Sequence, residues 1–194
     1  YYSGNISEIL NFRGGGMATH GGLLGGVLAG YIYTKVKKLN FFKMADCVVL
    51  GIPLAQAIGR WGNYLNKEAH GGPTDLPWGI MVDGVKVHPT FLYESIWDLG
   101  VFIFLMLFRK KQKYEGQILV YYITLYSIGR FFIEGLRTDS LMIFGLRTAQ
   151  LVSLALIIIG IVGIVIIRKT HKNNNIKEKS YENICLEKNE QDNV

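Results

Sequence analysis

Cysteine is nearly absent from this chain. Two occur in 194 residues, Cys47 inside an apolar block and Cys185 in the polar C-terminal stretch. They imply no disulfide framework, and neither has metal-ligand spacing. No Cys/His/Asp cluster suggests a metal, so the sequence calls for no metal and no cofactor. The opening stretch, YYSGNISEILNFRGGG, lacks a basic leader and an apolar core, so it does not read as a secretory signal. Also missing is the even basic character of a nucleic-acid binder. The formal charge is +6, but the basic residues fall in three short clusters, which argues against a nucleic-acid partner.

Charge is scarcest within long apolar blocks. From Met44 to Gly59 the only strongly polar residues are Asp46 and Gln56. The chain is 49% hydrophobic, with a mean hydropathy of +0.22. Five segments have the make-up of membrane helices: 17–34, 41–59, 90–108, 117–135 and 148–167. A helix crossing a ~30 Å hydrocarbon core needs about 20 residues. The fifth segment, TAQLVSLALIIIGIVGIVII, meets this alone. The expected fold is all-α: a polytopic helical membrane protein with five transmembrane helices and a small extracytoplasmic cap. Residues 1–167 form the membrane-embedded domain. Residues 168–194, rich in Asn, Lys and Glu, are expected to be a disordered cytoplasmic tail.

The basic clusters orient these segments. Lys35, Lys37, Lys38 and Lys43 lie between segments one and two, and Arg109, Lys110, Lys111 and Lys113 between three and four. Arg168, Lys169 and Lys172 follow five. Cytoplasmic loops carry the excess of Lys and Arg, so all three clusters belong on the cytoplasmic side. Residues 1–16, 60–89 and 136–147 then face outward. Within the second of these, 78–82 and 85–87 flank Asp83-Gly84 and read as a hairpin.

Polar residues inside a membrane are costly and usually face a cavity or a partner. Here they gather at the outer helix ends: His20, Arg60 and Asn63, His88 and Glu94 with Asp98 a turn deeper, then Arg130, Glu134 and Arg137. In LYSIGRFFIEGLR, Tyr126, Arg130 and Glu134 are spaced by four and Arg137 by three more, so they share a helical face. One reading is a self-paired Arg–Glu ladder that lets a helix keep its charges in lipid. The other is an anion site, in which Glu134 orients arginines whose planar forks suit a phosphate. A transporter or channel for an anionic substrate is the alternative function. It needs polar residues along a path to both faces, whereas segments two, four and five are nearly clean in their cytoplasmic halves.

Four blocks, HGGLLGG (20–26), GRWGNYLNKEAHG (59–71), HPTFLYE (88–94) and GRFFIEGLR (129–137), resemble the signature blocks of the prolipoprotein diacylglyceryl transferase family, in its order and rough spacing. The likeness covers about residues 8 to 167. It implies transfer of the diacylglyceryl group of phosphatidylglycerol to the lipobox cysteine of a prolipoprotein, in the bacterial cytoplasmic membrane. A thioether forms and glycerol 1-phosphate leaves. By the resemblance, Arg60 binds the phospholipid headgroup, His20 assists thiol deprotonation, and Arg130 with Glu134 and Tyr126 holds the phosphate. Asn63, Glu68 and Arg137 shape the phosphatidylglycerol site, and His88 and Glu94 support it. The family has further helices before the HGG block, so the chain is expected to lack an N-terminal part. Ala69-His70 stands where the family pattern leads one to expect a bulkier apolar residue.

Overall fold

The computed structural model describes residues 19–137, 142–143 and 146–191, with side chains described for 21–137 and 147–170. The element order is α1 (Thr19–Val36), α2 (Phe41–Val49), α3 (Ile52–Leu65), β1 (Ile80–Val82), β2 (Val85–Val87), α4 (Thr90–Phe108), α5 (Gln117–Glu134), β3 (Met142–Ile143), β4 (Leu146–Arg147) and α6 (Thr148–Gln191). The chain divides into two compact units, Tyr1–Met44 and Ala45–Val194, and the division falls inside α2. In the first unit, a Cβ on Gly30 of α1 would lie 3.3 Å from the Met44 methyl, and Tyr31 packs edge-on against Phe41.

The candidate membrane segment over 41–59 is not one continuous helix. α2 and α3 are separate helices bent by 41° at the Leu50–Gly51 break. Pro53 has no N–H to continue a helical ladder, but it is tolerated in the first turn of a new helix, where that donor is unsatisfied anyway. α3 then runs on through Arg60 and Asn63 to Leu65, so both residues are helical rather than in a loop. Among the described residues, two helices are long and apolar enough to cross a membrane, Thr90–Lys111 and Thr148–Thr170, or up to three if the bent pair is one span. α1 and α5 each have 18 residues, but glycine, tyrosine and ionisable side chains dilute their apolar content.

α3, α4 and α5 pack side by side, with α6 against α5. After Thr90 at its start, the buried residues of α4 are spaced three and four apart: Phe91, Glu94, Asp98, Val101 and Leu105. Their character changes along the stripe. The deep half, Val101 and Leu105, joins Val49 and Ile118 in an apolar core ringed by residues such as Phe108 and Tyr121. The other half is acidic. α6 approaches α5 through glycines: a Cβ on Gly160 would overlap the Thr124 hydroxyl, and one on Gly163 would lie 3.3 Å from Val120. Small residues at such contacts let helix backbones close up.

Asp46 ties α5 to α2. Its buried carboxylate accepts from the Gly116 N–H at 2.7 Å, the Leu119 N–H at 2.8 Å and the Gln112 amide at 2.5 Å. It thus satisfies donors that an α5 N-terminus leaves orphaned and sets a negative charge at the positive end of the helix dipole. Gly116, at φ +81°, makes the left-handed entry.

The hairpin forms as expected, shorter by Trp78 and Gly79. β1 pairs antiparallel with β2, Ile80 opposite Val87 and Val82 opposite Val85. Asp83 and Gly84 both have positive φ, the requirement of the two-residue turn that matches strand twist. A second short pair, β3 with β4, was not foreseen. α6 continues as a helix to Gln191, through the tail that composition suggests is disordered. Nothing between Arg168 and Gln191 is Gly or Pro, so no helix breaker follows the apolar stretch.

Candidate functional site

At the acidic end of the α4 stripe, three helices bring charges together. Glu94 lies one turn inside α4, Arg60 near the C-terminal end of α3, and Arg130 and Glu134 on the last two turns of α5. Arg60 Nε is 2.5 Å from Glu94 Oε2, and Arg130 donates to Glu94 Oε1 at 2.5 Å. A second terminal nitrogen of Arg130 lies 2.8 Å from Glu134 Oε2, out of hydrogen-bond alignment. Glu94 is therefore the hub, and both carboxylates lie behind the arginines. Glu94 and Glu134 side chains are 7% and 4% exposed, against 21% for each arginine. The arginines are thus the more accessible members of the network. A guanidinium carries five N–H donors, and these contacts engage one nitrogen of Arg60 and two of Arg130. The arrangement can orient two arginine forks toward an anion without leaving either charge uncompensated.

The expected four-residue ladder on α5 is partly present. Tyr126, Arg130 and Glu134 share the helix, and Tyr126 stacks on Tyr122, whose hydroxyl donates to Gln56 Oε1 at 3.0 Å. Arg137 is not a turn further on: α5 ends at Glu134, and Arg137 forms a backbone bridge with Gly71. The Arg147 guanidinium donates to the Glu134 carbonyl, one of the acceptors a helix end leaves open. The side chain of His20 lies outside the described residues; its backbone is in α1, in the first unit.

The block after Arg60 forms a strap. Glu68 Oε1 accepts from the Asn63 and Asn66 amides, both at 3.1 Å, and holds the loop on the end of α3. Lys67 and Ala69 have φ near +54° and +56°. This conformation is unfavourable for side chains branched at Cβ, which suits the short Ala69 where a bulkier residue was expected. The Ala69 carbonyl takes the Thr90 hydroxyl at 2.5 Å, the Gly71 N–H donates to the His88 carbonyl, and the Gly72 N–H to that of Leu136. Gly71 sits where three segments meet: a Cβ there would lie 2.6 Å from His88 Cβ and 3.0 Å from Leu136 O. His88 has its Nδ1 3.5 Å from the Tyr93 hydroxyl, which also accepts from Trp78.

Sequence reasoning missed the packing that fixes this register. Ser95 donates to the Ala57 carbonyl and accepts from Trp61, while Trp97 donates to the Leu125 carbonyl. Such contacts join positions 28 to 38 residues apart and leave no periodic trace.

The family model described as prolipoprotein diacylglyceryl transferase matches residues 1–166. Phosphatidylglycerol–prolipoprotein diacylglyceryl transferase of Clostridioides difficile (strain 630) is 72% identical over 174 residues, covering 90% of this chain and 70% of that one. The protein of the same name from Finegoldia magna is 55% identical, covering 84% and 66%, and that from Clostridium novyi is 50% identical, covering 93% and 71%. This chain thus spans about two thirds to seven tenths of the length of these relatives. A match that covers both arginine helices, the strap between them and most of each relative places the chain in the prolipoprotein diacylglyceryl transferase family.

Proposed function

We propose that this chain transfers the diacylglyceryl group of phosphatidylglycerol to the cysteine thiol of a prolipoprotein, the first step of lipoprotein maturation. The names of its relatives support the two substrates. The observation that carries the reading is the pair of arginines, Arg60 and Arg130, held on one buried carboxylate and each more exposed than it. In this reading both bind the lipid phosphate. The lipobox thiolate attacks the glyceryl carbon, the S–C bond forms, and the C–O bond to phosphorus breaks. The electron pair and the growing charge leave with glycerol 1-phosphate. Preorganised donors act where that charge develops, and losing one costs about 10²–10³ in rate. The thiol, with an ordinary pKa of about 8.5, needs a base, and His20 is the proposed acceptor of its proton. Glu134 and Tyr126 orient Arg130. Asn63 and Glu68 hold the strap over the headgroup, and His88 and Arg137 support its edges.

The reaction belongs at the outer leaflet of the bacterial cytoplasmic membrane, with five segments of residues 1–167 spanning it and the 168–194 tail in the cytoplasm. α6 supports a lipid environment, because only 11% of its most apolar window is buried within the chain. The decisive experiment mixes the membrane protein with phosphatidylglycerol and a lipobox peptide. Glycerol phosphate release with a matching mass gain on the peptide cysteine is expected. Lipid or anion flux without that adduct would instead establish transport.

A further inference from the structure

One helical turn inside the arginine layer lies a second polar layer. The contacts fix the level of each residue. Arg60 meets Glu94 and the Ala57 carbonyl accepts from Ser95 across α3 and α4, while Arg130 meets Glu94 and Trp97 reaches the Leu125 carbonyl across α4 and α5. Both helix pairs are therefore antiparallel. Four residues back from Arg60 is Gln56, four on from Glu94 is Asp98, and three back from Arg130 is Ser127. At 1.5 Å rise per residue, this level lies about 4.5–6 Å inward. Below it, Val101 and Leu105 begin the apolar core.

Asp98 is 2% exposed and Ser127 1%, and neither Asp98 Oδ2 nor Ser127 Oγ has a hydrogen-bond partner. Buried polar atoms are nearly always satisfied, so two orphans at one level on neighbouring helices mark a place that a further polar group completes. We propose that Asp98 and Ser127 form a subsite for the hydroxyls of the donor lipid's glycerol headgroup. The proposal rests on the reading of the arginine layer as the phosphate site. A hydroxyl suits the pair because it donates to the carboxylate and accepts from the serine. An ammonium headgroup donates to Asp98 but has nothing to offer the Ser127 hydrogen. The headgroup carries its hydroxyls on a three-carbon chain beyond the phosphate, which spans one turn of helix. Gln56 and Tyr122, bonded to each other, and Tyr126 lie on the adjoining faces of α3 and α5, and Arg60, Arg130 and Glu94 are the charges that bear on Asp98.

The test compares two donor lipids, phosphatidylglycerol and phosphatidylpropanol, which lacks both hydroxyls, on the full chain and its Asp98→Asn and Ser127→Ala variants. A hydrogen bond to a charged group corresponds to a preference of about 10- to 100-fold in kcat/KM for phosphatidylglycerol. That ratio is expected to fall toward unity in both variants, whatever happens to the absolute rates. A ratio unchanged from wild type in both would overturn the subsite and leave Asp98 and Ser127 as packing residues. Retention of the two lipids, measured by native mass spectrometry on the same proteins, reads the subsite without turnover. If the wild type transfers from neither lipid, the reaction assignment fails. Selective retention of phosphatidylglycerol that is lost in the variants still supports the subsite, and retention blind to the substitutions overturns it.

Discussion

At the scale of single residues, the site is a problem in charge compensation. Among the described residues Glu94 alone forms ion pairs with both arginines, so removing it leaves two partly buried cations on one shared vacancy. Breaking a buried pair from one side costs about 3–5 kcal/mol. Glu94→Ala is expected to lower thermal stability in detergent by that order, and Glu94→Gln by less, because the amide oxygen still accepts. Equal, negligible losses would show that the pairs contribute nothing to the fold. The shared partner also makes the arginines non-additive. Arg60→Ala and Arg130→Ala should each abolish measurable transfer or reduce it about 10²–10³-fold, and the double variant should fall short of the product of the two. Full additivity in a double-mutant cycle would mean that they act on separate groups. His20→Gln should slow transfer, with partial recovery at higher pH, if His20 takes the thiol proton; a pH-independent defect assigns it a positional role. The spacing of Tyr126, Arg130 and Glu134 was legible in the sequence because helical period specifies a face. The hub role of Glu94 was not, because period does not say which distant residue a face meets.

At the scale of elements, the levels of α3, α4 and α5 depend on close helix contact. A Cβ on Gly129 would overlap the Trp97 indole, so Gly129→Ala is overpacking at the contact that sets the α4–α5 register. The expected cost is about 1–3 kcal/mol, and Trp97→Phe in the same chain should recover part of it, read by unfolding temperature and transfer rate together. A Gly129→Ala protein as stable as wild type would remove Trp97 from the register argument. α4, α5 and the β1–β2 hairpin were readable from apolar runs and the Asp83-Gly84 pair. The break before Pro53 was obscured by apolar residues on both sides of it, which look continuous to any composition window. Arg137 seemed to extend the α5 face because spacing continues past a helix end, whereas the helix stops at Glu134 and the chain turns to meet Gly71.

At the scale of the whole molecule, the basic clusters and the arginine layer make opposite demands on the membrane. Arg109, Lys110 and Lys111 close α4 at one end, while Glu94 opens it at the other, with 19 residues of helix between the flanking segments. If α4 spans, the hairpin turn at Asp83 and the cluster at Lys111 face opposite sides. The positive-inside bias puts Lys111 in the cytoplasm. Both sites are exposed, so single cysteines there are accessible to a probe. In a chain with Cys47 and Cys185 replaced by serine, Asp83→Cys is expected to react with a membrane-impermeant maleimide in intact cells. Lys111→Cys should react only after permeabilisation. The reverse pattern would turn the arginine layer toward the cytoplasm and remove it from secreted precursors. Labelling of both from one side would mean that α4 does not cross, and the polar levels of α3, α4 and α5 would then need a different account from the one the lipid substrate gives them.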